Sequence, residues 1–194
     1  MTTRVAVLDH GMGNLRSVSK ALEAAGARVE VTADKDRVLR CDALCVPGQG
    51  IFGRCMNALS RDGLGDLVRE WIGSERPYLG ICLGMQVLFE SSDENPDTSG
   101  LGILGGRVLR LPPSVRVPHI GWNIVRTAPE GSDEYFYFDH SYAVRPADED
   151  LVAGWCEHGE RFAAIVRSGS VTAVQFHPEK SGASGIAFLK GWVS

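Results

Sequence analysis

Tyr78-Leu79-Gly80-Ile81-Cys82-Leu83-Gly84-Met85-Gln86 carries an apolar run straight into a glycine-framed turn. Tyr78–Ile81 reads as a buried strand and Met85–Glu90 as the helix that leaves the turn. Gly80-Ile81-Cys82-Leu83-Gly84 has the Gly-x-nucleophile-x-Gly form of an elbow, with cysteine in the reacting position. A strand that turns directly into a helix is the unit from which α/β folds are built.

Upstream, the same alternation repeats. Val5–Leu8 is a short apolar strand, followed by the turn Asp9-His10-Gly11-Met12-Gly13-Asn14. Asn14 suits the N-cap of a helix whose apolar face is Leu15, Val18, Leu22 and Ala25, with Gly26 ending it. Arg28–Thr32 and Ala43–Val46 are the next strands, and helical periodicity returns over Phe52–Leu59 and Leu64–Ile72. Downstream, Ser91–Gly100 is polar and reads as a loop. Arg107–Leu111, Trp122–Thr127, Tyr135–Phe138, Phe162–Val166 and Val171–Phe176 then favour strands, before a last helix over Ile186–Val193. The expectation is one α/β domain over residues 1–194, with a mixed sheet flanked by helices.

The chain has 194 residues, 44% apolar and 23% charged, with a formal net charge of −4. That balance lacks the basic excess of nucleic-acid binders, and the scattered lysines and arginines give no patch for an anionic membrane. No apolar run approaches the roughly 20 residues that span a bilayer. The first apolar run is too short for a signal peptide and meets Asp9 at once. A cytoplasmic location is expected. Five cysteines, an odd number with no CxxC pair, argue against a disulfide framework. Gly11-Met12-Gly13 lacks the full GxGxxG pattern, so dinucleotide binding is not expected.

Of the cysteines, Cys82 stands in the setting that chemistry would choose. The N-terminal amides of the following helix favour a thiolate, and such sites lower a thiol from about 8.5 into the range ~3.5–7.5. The same amides can stabilise an oxyanion. A buried structural cysteine in a glycine-rich turn is the alternative. Near the other end lies Gln175-Phe176-His177-Pro178-Glu179. If this segment stays extended, His177 and Glu179 share a face and Pro178 points away. A carboxylate beside an imidazole orients it and stabilises the imidazolium. Taken singly, His177 reads equally as a core histidine and Glu179 as a surface acid. Pro47-Gly48-Gln49-Gly50 follows a strand and can turn backbone N–H groups toward the crevice at the strand ends; a plain tight turn is the alternative.

Together these residues resemble the class I (triad-type) glutamine amidotransferases. The segments that carry the resemblance are Gly80–Gln86 and Phe176-His177-Pro178-Glu179. Four further stretches are similar to the glutaminase branch that serves imidazole glycerol phosphate synthases: Asp9–Val18, Pro118-His119-Ile120-Gly121-Trp122-Asn123, His140-Ser141-Tyr142 and His177–Gly182. The stretches His177–Gly182 and Pro118–Asn123 argue against branches serving anthranilate or pyridoxal phosphate synthesis. A non-catalytic regulator or chaperone on the same fold has no need for His177 paired with Glu179. His10 and Gln49 depart from the pattern, which commonly has tyrosine and valine there.

The resemblance implies a flavodoxin-like domain with Cys82, His177 and Glu179 as catalytic residues. Leu83 and the Gly48-Gln49-Gly50 segment would supply the oxyanion hole. Gln86, Ser141 and Tyr142 would hold the α-amino and carboxylate groups of L-glutamine. No metal or organic cofactor is implied, because the thiol supplies the covalent chemistry. The implied partner is a (β/α)8-barrel cyclase, bound as a heterodimer and receiving ammonia, with Asn14, Trp122 and Lys180 at the interface.

Overall fold

The computed structural model describes residues 2–61, 63–127, 131 and 133–194. Its first half alternates strand and helix: β1 (Arg4–Leu8), α1 (Leu15–Ala24), β2 (Arg28–Thr32), α2 (Lys35–Leu39), β3 (Ala43–Gly48), α3 (Phe52–Arg61), α4 (Leu64–Gly73), β4 (Tyr78–Cys82) and α5 (Leu83–Gln86). Then come β5 (Ser91–Ser92), β6 (Gly106–Arg110), β7 (His119–Thr127), β8 (Asp133–His140), β9 (Tyr142–Pro146), β10 (Val152–Glu157), β11 (Arg161–Ser168), β12 (Val171–Val174) and α6 (Gly182–Val193). Nine strands form one mixed sheet in the order β2-β1-β3-β4-β12-β11-β10-β7-β8. The block from β2 to β12 is parallel, and from β12 outward each pairing is antiparallel. A second sheet, β5-β6-β9, stands apart from the single sheet that the sequence suggested.

The apolar runs of the parallel strands are continuous because both faces of the sheet are covered. Along β1, Ala6 and Leu8 enter one core, with residues of α3 and α4. Val5 and Val7 enter the other, with residues of α1 and α6. The alternation along a strand thus becomes a division between two cores. Asn14 caps α1 by accepting a hydrogen bond from the Ser17 amide at 3.2 Å, and Gly26 leaves the helix region at φ +101°. Among the described residues, no helix is long and apolar enough to cross a membrane.

Two further expectations need correction. The helix after the elbow is not Met85–Glu90; α5 is the single turn Leu83–Gln86. Its continuation is pre-empted because the returning segment takes the carbonyls a helix would need. Leu101 donates to the Val87 carbonyl, Ile103 and Leu104 to that of Leu88, and Gly100 to that of Glu90. Within the expected loop, Ser91–Ser92 joins the small sheet. Three elements also went unread. Helix α2 is short and polar and buries only Val38. Strands β9 and β10 contain Pro146 and Gly154, which dilute the strand pattern.

Candidate active site

Strand β4 lies within the parallel block, between β3 and β12, and delivers Cys82 at its C-terminal end, aligned with Gly48 of β3. Cys82 has φ +53° and ψ −105°, a region that a residue with a Cβ rarely occupies. Such backbone costs about 1–3 kcal/mol and persists where the surroundings over-determine it. Here the glycines do so. A Cβ on Gly84 would lie 1.8 Å from the Val46 carbonyl oxygen, and one on Gly80 would lie 2.4 Å from the Gly84 oxygen. The Tyr78 hydroxyl, buried under the turn, donates to the Gly84 carbonyl at 2.8 Å.

His177 and Glu179 meet, though not by the alternation of an extended chain. Strand β12 ends at Val174, and Pro178–Lys180 forms a 3-10 turn. The turn brings the Glu179 Oε1 carboxylate oxygen to 2.8 Å from His177 Nδ1, with both side chains almost wholly buried. Pro178 suits the first position of such a turn and holds His177 extended before it. The backbone of His177 is clamped as well: its amide donates to the Tyr137 carbonyl, and its carbonyl accepts from the Ser181 hydroxyl.

The charge state of His177 follows from its neighbours. Burial alone would drive the imidazole toward neutrality. The Cys82 sulfur, by its charge, and Glu179, by its hydrogen bond and charge, outweigh that effect and push His177 up to about 10. Nε2 is buried without a well-formed hydrogen bond, and catalytic hydrogen bonds commonly tighten only in the substrate complex. Because the folded value lies above the ordinary 6.5, the imidazolium's stabilising contribution is complete below about pH 6.5. It is lost as the pH climbs through about 10. Cys82→Ala removes one of the groups that raise His177, so NMR titration should show its midpoint falling in that variant. An unchanged midpoint would separate His177 from Cys82.

Beside the thiol lies a cavity of ≈270 Å³. Cys82, Leu83, Gln86, Gln49, Gly50, Ser141 and Tyr142 all line it, which gathers most of the residues singled out in the sequence. Gly48 is not in the lining; it is buried beside the elbow, where a Cβ would approach the Leu83 Cβ to 2.5 Å. The two departures from the family pattern have distinct places. His10 donates from Nε2 to the Pro47 carbonyl at 2.6 Å, which anchors the end of β3. Gln49 donates to Asp139 Oδ2 at 3.3 Å, and Lys180 reaches the same oxygen at 3.4 Å. Trp122 is 56% exposed on β7, and the exposed Asn14 serves as the cap of α1.

Several site residues were missed. Glu94 and Asp139 place carboxylates at the cavity, and His140 also lines it. Glu94 lies in the polar stretch after the elbow, where nothing in the sequence separates it from other surface acids. Its Oε2 accepts from the Phe52 amide at 2.8 Å, which fixes the loop against α3. Gln175 stood in a quoted segment without a role. Its Nε2 donates toward the Cys82 sulfur at 3.5 Å, and its Oε1 accepts from Gln86 at 3.1 Å.

The model of the family "Glutamine amidotransferase class-I" matches residues 6–191. This chain belongs to the class-I glutamine amidotransferases. It is 43% identical over 194 residues to "Imidazole glycerol phosphate synthase subunit HisH" of Rhodopirellula baltica, covering 96% of this chain and 95% of that one. It is 41% identical to the Arabidopsis thaliana "Imidazole glycerol phosphate synthase hisHF, chloroplastic", covering 96% of this chain and 33% of the longer protein. A solved structure described as "Crystal structure of glutamine amidotransferase" superposes with a TM-score of 0.77 at 24% identity, covering 96% of this chain and 98% of the other. That likeness bears on the fold, an α/β architecture with a mixed central sheet between helices.

Proposed function

We propose that this amidotransferase is the glutaminase subunit of imidazole glycerol phosphate synthase. The observation that carries the reading is Cys82, held at positive φ beside a hydrogen-bonded His177–Glu179 pair and opening onto the cavity. The pathway assignment draws on the synthase subunits among its relatives.

The Cys82 thiolate attacks the side-chain amide carbon of glutamine, forming a C–S bond and a tetrahedral oxyanion. The Leu83 amide and an amide of the Gly48–Gly50 segment stabilise that oxygen. The C–N bond then breaks as His177 gives its proton to the leaving nitrogen, and ammonia departs. Water attacks the thioester carbon as His177 takes its proton, the C–S bond breaks to return the Cys82 thiolate, and glutamate leaves. Glu179 keeps the imidazole in the orientation both steps need.

Gln86, Ser141 and Tyr142 hold the α-amino and carboxylate groups. Both N–H bonds of Gln86 are committed, to the Tyr142 carbonyl at 2.9 Å and to Gln175, so the atom it offers a ligand is the acceptor Oε1. Glu94 adds a carboxylate that suits the α-ammonium. Glu94→Gln should therefore raise KM for glutamine by about tenfold with kcat little changed, because it removes binding common to ground and transition states. A fall in kcat alone would move Glu94 out of this role.

The 1–194 chain acts as one domain and works in the cytoplasm as a heterodimer with a (β/α)8-barrel cyclase. Asn14, Trp122 and Lys180 lie at the interface, and ammonia passes to the cyclase without reaching water. A glutamine analogue with an electrophilic side-chain carbon should label Cys82 alone, as read by mass spectrometry of digested protein. Labelling spread over other cysteines, or absent, would contradict the assignment.

A further inference from the structure

From Asn123 inward to the cavity wall, four polar side chains form a chain whose hydrogen-bond directions can be read one by one. Asn123 Oδ1 accepts from the Ile124 amide at 2.8 Å, so its Nδ2 must be the donor. That nitrogen donates to the Glu157 carbonyl at 2.9 Å and contacts His119 Nε2 at 3.2 Å. His119 Nε2 is therefore an acceptor, and the proton of that ring sits on Nδ1. Nδ1 lies 3.0 Å from His140 Nε2, which must accept in turn. The His140 proton is then on Nδ1, where it meets the Tyr142 carbonyl at 2.9 Å. Tyr142 O is the oxygen that also receives Gln86 Nε2. Its two lone pairs are thus filled by His140 from one side and Gln86 from the other.

Neither ring can take a second proton without setting donor against donor along this line. The surroundings agree. Burial, with the neighbouring His158, lowers His119 to about 4. Burial, against the pull of the Tyr142 carbonyl and aided by His119, His158 and His177, lowers His140 to about 3. His119 is also stacked between Phe138 and His158, at centroid distances of 4.7 and 4.1 Å.

We propose that His119 and His140 are positioning residues, a neutral one-way relay from Asn123 that pins the Tyr142 carbonyl and so fixes the Gln86 amide at the glutamine pocket. This rests on the glutaminase reading above. Neither ring needs to touch a reacting atom. If the donor at His119 is lost, His140 Nε2 is left buried without a partner and only the Tyr142 carbonyl holds the ring. A ring that shifts to satisfy Nε2 withdraws its Nδ1–H from that carbonyl, and the oxygen that anchors Gln86 loses one of its two donors.

Two substitutions separate the relay from simple packing. His119→Phe keeps a ring in the stack but removes the donor. His119→Asn removes the ring but keeps an N–H near the former Nδ1. In the enzyme assembled with its cyclase, the relay predicts that His119→Phe raises KM for glutamine by about tenfold, the scale of a buried polar group left unpaired. Its kcat should change by less than about threefold, and His119→Asn should keep KM within about threefold of the parent. An unchanged KM in His119→Phe would overturn the proposal, as would a larger defect in His119→Asn than in His119→Phe.

Nitrogen-15 NMR of histidine-labelled full chain tests the relay without turnover. Both rings should be in the Nδ1–H tautomer, and His140 in the Nε2–H form would overturn the proposal even if neither variant folds. Absence of glutamine turnover in the unmutated assembly would instead strike the glutaminase reading, with the tautomers still deciding the relay.

Discussion

Replacing Cys82 with alanine should lower glutamine hydrolysis by about 10⁴–10⁶-fold, the scale seen when a covalent nucleophile is removed from an intact site. The loss is that large because no neighbour can substitute. The other four cysteines are all buried and none lines the cavity. Burial pushes Cys55 up to about 12, which leaves it an inert thiol. Gln175 and His177 would remain in place to bind and polarise, but neither offers a group that can form the thioester. Steady-state glutamate release measures the effect, with circular dichroism showing that the fold is retained. Residual activity within about tenfold of the parent would mean that the carbonyl is attacked by something other than Cys82.

The second large effect falls on stability. Gly84→Ala puts a methyl group 1.8 Å from the Val46 carbonyl oxygen, an atom of the central strand β3 that has no side-chain freedom to move aside. Either β3 or the elbow must shift, and both belong to the tightly packed core, so a cost of about 3 kcal/mol or more is expected. Urea unfolding reads it directly. Gly191 supplies the contrast: it lies within α6, and a Cβ there meets nothing within 4 Å. Gly191→Ala should stabilise the chain by about 0.5–1 kcal/mol through the unfolded-state entropy it removes. Equal effects of the two substitutions would refute close approach as the reason for glycine in the elbow.

The parallel half of the fold was legible because its physics is local. Apolar runs, the Asn14 cap and Gly26 each act within a few residues, and the strands they bound are buried on both faces. The elbow was legible for the same reason: a strained cysteine between close-packed glycines leaves a five-residue trace. Elements set by distant partners were not. The length of α5 depends on amides 10 or more residues along the chain that take its outgoing carbonyls. The spacing of His177 and Glu179 predicts their pairing, but through an extended segment where the structure has a 3-10 turn. Glu94 and Asp139 look like any surface acids until the fold turns them to the cavity. His119 and His140 were noted only as parts of motifs, since the direction of a hydrogen bond is invisible in a sequence.

Gln49 shows how a departure from pattern gains meaning in three dimensions. Its amide shares the Asp139 carboxylate with Lys180, so the segment proposed for the oxyanion and a residue proposed for the partner interface meet on one oxygen. Both contacts are partly exposed and individually weak. A partner that engages Lys180 would compete with that carboxylate for the ammonium and leave Gln49 as its remaining contact.

The most direct test of the glutaminase assignment is glutamate release from glutamine by the purified chain, alone and with a barrel cyclase plus its ribotide ligand. The account predicts strong release in the complete mixture, much less from the chain alone, and none above background with Cys82→Ala in either case. Absence of release in every mixture, or release that survives Cys82→Ala, would contradict it.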